Sequence, residues 1–152
     1  YNTYMNVEEI LDMWKEDSKI NEVDLDLTST ATPKLHSKYL ELYTVSKLQL
    51  KRLRLKISEL KKDKWLYYTG KMTKEDMDER GWEYDPYKGG TKPLKGDMDY
   101  YYDADPDIQA LVAKIEYQET LVETLEEIMN NIRWRHSTIK NIIDWRRFTS
   151  GG

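Results

Sequence analysis

The chain reads as all-α: a long antiparallel helical hairpin with a short N-terminal helix and an irregular connecting loop. Three observations carry this. Charged residues make up 34% of the 152 residues and only one Phe is present, so the apolar set is too sparse for a thick globular interior and suits long amphipathic helices instead. Apolar residues recur at helical spacing over two long stretches, from Leu35 to Leu60 and from Ile108 to Ile143. Gly and Pro gather between those stretches, at Gly81, Pro86, Gly89, Gly90, Pro93 and Gly96.

The elements follow in order within one domain, 1–152. An acidic arm, 1–32, contains a short helix over Val7 to Asp17, with Asn6 as N-cap, acids in the first turn, and Ile10, Leu11 and Trp14 on one face. Residues 18–32 are polar and read as turns. A basic helix occupies 33–70, opening with Thr32 as cap and Pro33 at its first position and stopping at Gly70. Part of it, Leu48 to Ile57, alternates as a strand would, but the flanking spacing and the helix-forming composition favour helix. An irregular loop, 71–104, follows, with one or two helical turns expected over Thr73 to Arg80. The last helix, 105–148, opens with Asp105 as cap and Pro106 at its first position. Its seam is Ile108, Leu111, Ile115, Gln118, Val122, Leu125, Met129, Ile132, His136, Ile139, Ile143 and Arg146. Leu121, Ile128 and Ile142 form a second apolar line beside that seam, more than one partner helix needs. We therefore expect contacts between subunits through Leu121, Leu125, Ile128, Ile132, Ile139 and Ile142.

Charge is polarised. Lys47 to Lys64 carry eight basic and two acidic residues, net plus six, whereas the first 32 residues carry eight acids and two lysines, net minus six. A basic helix ending in Lys62-Asp-Lys-Trp-Leu-Tyr-Tyr68 suits single-stranded nucleic acid, because ammonium groups neutralise phosphates of any sequence and flat rings stack on unpaired bases. The expected DNA-binding set is Lys51, Arg52, Arg54, Lys62, Lys64, Trp65, Tyr67 and Tyr68. Adjacent helical side chains do not share a face, so one of Tyr67 and Tyr68 is expected to pack inward and the other to stay exposed.

Several classes are unsupported. The chain has no Cys, hence no disulfide, thiolate metal site or thiol nucleophile, which fits a reducing compartment. No phosphate-binding loop or nucleophile-plus-base arrangement occurs, so neither an enzyme nor a cofactor is called for. The acids Asp97, Asp99, Asp103, Asp105 and Asp107 fail the calcium-loop pattern, with Ile108 at the sixth position from Asp103 and Lys114 at the twelfth, and helix capping explains Asp105 better. No apolar run is long enough for a membrane span. The chain opens at Tyr1 rather than Met, from which we expect N-terminal trimming or a tag remnant.

Four segments occur in a telling order: Leu35-His-Ser-Lys-Tyr-Leu40, Lys62-Asp-Lys-Trp-Leu-Tyr-Tyr-Thr-Gly70, Ala104-Asp-Pro-Asp107 and Ile139-Lys-Asn-Ile-Ile-Asp-Trp-Arg-Arg-Phe148. Together they make the chain resemble the UvsY recombination mediators of T4-like phages. The resemblance implies a helical protein that binds single-stranded DNA, forms a ring-like homo-oligomer of six or seven subunits, and loads a phage recombinase onto strands occupied by the phage single-strand binding protein, in the cytoplasm of the infected host. It places two basic residues important for DNA binding at Lys62 and Lys64. The chain departs from the family pattern at Asp63, before Pro33, and in a longer loop between Met72 and Tyr102. A helical coiled-coil adaptor without DNA binding is the alternative reading of the same seams.

Overall fold

A computed structural model describes residues 4–151, and no strand occurs among them. Tyr1 and the first residues of the acidic arm lie outside the described residues. Five α-helices follow in order: α1 Val7–Asp17, α2 Leu25–Tyr68, α3 Lys74–Arg80, α4 Met98–Ala104 and α5 Pro106–Thr149. The fold class is all-α, as the sequence predicts. The chain divides into two compact units, one formed by residues up to Gln49 together with those from Gln118 onward, the other by Leu50–Tyr117.

In the first unit, α1 begins as expected. The Asn6 side chain accepts the Glu9 N–H at 2.8 Å, and Glu8 and Glu9 in the first turn complement the helix dipole. Its inward face carries Ile10 into a core with Tyr39 and Leu42 of α2 and Leu121, Leu125, Ile128, Met129 and Ile132 of α5. Fully burying each of these large side chains contributes about 1.5–3 kcal/mol. Trp14 meets Tyr39 edge to face at 5.5 Å between ring centroids, and the Tyr39 hydroxyl donates to Asp17 at 2.9 Å. Burial, reinforced by that acceptor and its charge, raises the Tyr39 pKa, so the phenol stays neutral. Two polar devices tie α5 to its neighbours, one to α2 and one to the end of α1. Buried Gln118, at a seam position, donates to the Ser46 carbonyl at 2.9 Å and to Gln49 at 3.2 Å, which fixes the antiparallel register. Buried Arg135 donates to the carbonyls of Ser18 and Lys19 at 3.1 and 2.9 Å, occupying acceptors where α1 ends.

Helix α2 starts earlier than the sequence predicts, at Leu25 instead of Pro33. The reason lies in the polar side chains that resemble turn formers. Asp24 accepts the Leu27 N–H at 2.9 Å and so caps the helix. Thr28, Thr30 and Thr32 each turn their hydroxyl back onto a carbonyl three or four residues earlier, at 3.0–3.1 Å. Pro33 consequently sits in the helix interior, where it removes one ladder hydrogen bond.

In the second unit, α2 ends at Tyr68 and the chain turns at Gly70, whose φ of +74° is open to glycine at little steric cost. The N–H groups of Gly70, Lys71 and Met72 then fold back onto the carbonyls of Tyr67 and Leu66. The 71–104 segment is more regular than expected. Thr73 caps α3 by accepting the Asp76 N–H, and a 3₁₀ turn, Lys95–Asp97, leads into α4. Met77 of α3 and Met98 of α4 pack with Tyr67, Tyr68 and Met72, so burial of two methionines orders a stretch whose glycines and prolines suggest irregularity. Asp105 caps α5 by accepting the Ile108 N–H at 3.0 Å, with Pro106 at the first helical position.

Candidate nucleic-acid interface

The expected DNA-binding residues separate into two groups. Lys51, Arg52, Arg54, Lys62 and Trp65 are exposed. At 100° per residue, Lys51, Arg54, Lys62 and Trp65 fall within an arc of about 80° on α2, extending about 20 Å along it. Lys61 flanks the same face and is also exposed. Trp65 is 40% exposed, and the Lys71 ammonium lies 4.2 Å from its ring centroid. Lys71 stands beyond the helix end, so helical spacing does not assign it to this face. The backward turn at Gly70 brings it to Trp65.

Lys64, Tyr67 and Tyr68 belong to the interior and are 3%, 6% and 8% exposed, respectively. This corrects the expectation that one of the two tyrosines is exposed. Both rings fit inside because α3 and α4 cover the end of α2: Tyr67 packs on Trp82 at 5.1 Å and Tyr68 on Tyr101 at 5.5 Å. Their hydroxyls are satisfied as well, Tyr67 donating to the Glu83 carbonyl at 2.7 Å and Tyr68 to Asp105 at 2.6 Å.

The Lys64 ammonium is enclosed. It lies 2.9 Å from Asp105, 2.8 Å from Asp107 and 3.7 Å from the centroid of Trp82. Two carboxylates and an aromatic face neutralise it, so its charge is spent within the fold. Burial pushes the Asp105 carboxyl up. Hydrogen bonds from Tyr68, the Ile108 N–H and Lys64, together with the Lys64 charge, outweigh burial and hold it below the ordinary value. Burial and the same hydrogen bond raise the Tyr68 phenol. Asp105 thus performs two tasks, helix cap and counter-ion; Asp-Pro-Asp signals the first, whereas the second depends on a side chain 41 positions away in sequence.

The expected oligomerisation residues are placed differently from the reasoning that selected them. Leu121, Leu125, Ile128 and Ile132 lie in the chain's own core and Ile139 is buried, while Ile142 is half-buried. Leu121 and Ile128 of the apolar line that looks surplus beside one partner helix share a core cluster with Ile10 of α1, and Ile142 stands outside that cluster. The most exposed large apolar groups on α5 are instead Trp134, Trp145 and Phe148, the last two stacked at 5.8 Å.

Residues 13–152 match the family model described as the recombination, repair and ssDNA binding protein UvsY. The chain belongs to the UvsY family. Crystal structures of the bacteriophage T4 recombination mediator protein UvsY share the fold. The lattice type II structure superposes with a TM-score of 0.81 at 22% identity, covering 97% of this chain and 99% of that one. The lattice type IV structure gives 0.78 at 21% identity, covering 95% and 99%. No curated protein matches the sequence. UvsY membership sets the functional class as recombination, repair and single-stranded DNA binding. No helix among the described residues is long and apolar enough to cross a membrane.

Proposed function

We propose that this UvsY-family chain carries single-stranded DNA on the exposed face of α2 formed by Lys51, Arg54, Lys62 and Trp65, with Lys61 and Lys71 extending it and Arg52 on the adjoining side of the helix. The observation that carries the reading is the alignment of Lys51, Arg54 and Lys62 with an accessible indole on one face, so that phosphates and an unpaired base can be met together. Lys64, Tyr67 and Tyr68 support that face from beneath. The bound strand is held in a form that favours nucleation of a phage recombinase and weakens the hold of the phage single-strand binding protein, in the cytoplasm of the infected cell. Non-covalent binding suffices for this, without a cofactor. A homo-oligomer of six or seven copies presents several such faces to one strand, raising effective concentration after the first engagement. Exposed Trp134, Trp145 and Phe148 support self-association.

Fluorescence anisotropy of a labelled oligo(dT) at several salt concentrations tests the DNA face. Lys51→Ala, Arg54→Ala and Lys62→Ala combined should weaken binding and flatten the log–log salt slope by about 0.7 for each phosphate no longer neutralised. A folded triple variant with unchanged affinity and slope would move the strand elsewhere.

A further inference from the structure

A groove of about 780 Å³ opens in the second unit, in the region covered by α3, α4 and the segment joining them. Its walls are aromatic, with Trp82, Tyr100 and Tyr101 prominent, and Glu83, Asp85 and Asp97 supply carboxylates. The groove is held by hydrogen bonds that leave these groups in place. Tyr67 donates to the Glu83 carbonyl at 2.7 Å, and Tyr87 to the Tyr68 carbonyl at 2.9 Å. Asp85 accepts the N–H groups of Tyr87 and Gly89 at 3.0 and 2.8 Å. Asp105, at the inner wall, is neutralised by Lys64. The three other carboxylates face one further lysine, Lys88, so the lining keeps a net charge of minus two at neutral pH. Tyr100 is 74% exposed, a large ring whose packing within the chain is slight.

We propose that this groove docks an arginine side chain presented by an extended segment of a partner protein. A planar guanidinium stacks on tyrosine and tryptophan faces and meets carboxylates with a fixed fork of donors, which matches rings and acids set side by side. The inner wall already displays the same chemistry on a smaller scale: the Lys64 ammonium rests on the face of Trp82 between two carboxylates. An uncharged apolar segment would leave the carboxylates desolvated and unpaired, and a DNA strand would bring phosphates against net negative charge. The groove is thus complementary to protein cations, distinct in both charge and position from the basic face of α2, and the assignment does not depend on where DNA binds.

The test uses the full chain and a fluorescein-labelled heptapeptide containing two arginines among Gly and Ser, alongside its citrulline counterpart, which keeps the shape and removes the charge. Tyr100→Ala combined with Glu83→Gln should weaken the arginine peptide about tenfold, since both side chains are exposed and the Glu83 hydrogen bond to Tyr67 uses only its backbone. Glu8→Gln with Glu9→Gln, in the acidic arm, should leave it within about twofold, because screened exposed charges there offer no ring to stack on. The citrulline peptide should bind far more weakly than its arginine parent. The proposal is overturned by absence of arginine-peptide binding at millimolar concentration, by equal binding of the citrulline peptide, or by unchanged affinity in the folded groove variant. It is likewise overturned if the arm variant loses binding as the groove variant should, or if the groove variant loses oligo(dT) affinity while keeping the peptide.

Discussion

Lys64 lies two residues from Lys62, yet its ammonium is surrounded by Asp105, Asp107 and Trp82, while Lys62 faces solvent. Breaking a buried ion pair by removing one partner leaves an uncompensated charge and costs about 3–5 kcal/mol. Lys64→Met should therefore lower stability by about 3 kcal/mol in urea unfolding, whereas Lys62→Ala should stay within about 0.5 kcal/mol and change the DNA salt slope instead. Equal stability of the two variants would contradict the enclosed ammonium. The same cluster sets a pH dependence. Asp105 has a folded pKa below its ordinary 3.8, so its stabilisation is complete above that value and is lost as pH falls through the folded one. Tyr68 has a folded pKa above its ordinary 10.0, so its contribution is intact below that pH and fades as pH rises through the raised folded value. Urea midpoints measured from about pH 2 to about pH 11 should fall at both ends, and Asp105→Asn should flatten the acid limb. Trp65 and Tyr67 also divide. Trp65→Ala should cost roughly 1–3 kcal/mol of oligo(dT) binding with little loss of stability, and Tyr67→Ala should primarily destabilise the fold. Cations and rings are legible in the sequence at the right place, but the sorting of Lys62 and Trp65 from Lys64, Tyr67 and Tyr68 depends on which face α3 and α4 cover, and no local pattern encodes that packing.

Among the elements, α1 and the opening of α5 are legible because their signals are local: Asn6 before an acidic first turn, and Asp105-Pro106 before an apolar period. The start of α2 is not. Thr28, Thr30, Thr32 and Pro33 each favour a break by propensity, yet Asp24 caps the helix and the threonine hydroxyls bond back to helix carbonyls. The two starting points make opposite predictions for one substitution. With the helix running from Leu25, Pro33→Ala restores an interior hydrogen bond and removes a clash with the preceding turn. The gain exceeds the benefit proline confers by restricting the unfolded chain, for a net stabilisation of about 2 kcal/mol. With Pro33 at the first helical position, alanine would gain no hydrogen bond and would lose that restriction. An increase in the urea midpoint without a change in m supports the longer helix; a decrease restores the shorter one. Met77 and Met98 explain why 71–104 is more ordered than its composition implies: glycines and prolines are visible in sequence, whereas the burial of single methionines against Tyr67 and Tyr68 is a tertiary effect.

For the molecule as a whole, the charge poles and seams indicate a helical protein with a nucleic-acid partner, and the family match agrees on class. Sequence spacing does not reveal that Ile10 of α1 joins Leu121 and Ile128 of the second apolar line in one core. This changes which substitutions inform on assembly. Leu125 is fully buried within the chain, so Leu125→Asp should unfold the monomer by burying an unpaired carboxylate and cannot report on how subunits meet. Trp145 and Phe148 are 65% and 77% exposed and stacked on each other, an apolar surface with no covering element among the described residues. Removing them by Trp145→Ser and Phe148→Ser takes little from the chain's own core, so stability should change by less than about 1 kcal/mol. If copies of the chain associate through this surface, light scattering coupled to size exclusion should give the wild type a mass several times 18.2 kDa at micromolar concentration and the double variant a much lower one. The variant should also lose avidity for long oligo(dT) while retaining affinity for a strand short enough to occupy one face, because effective concentration falls but the cations of α2 remain. A wild-type mass of one subunit would remove the oligomer from the proposed mechanism. A variant that stays assembled, with long and short strands affected alike, would place the subunit interface on another surface.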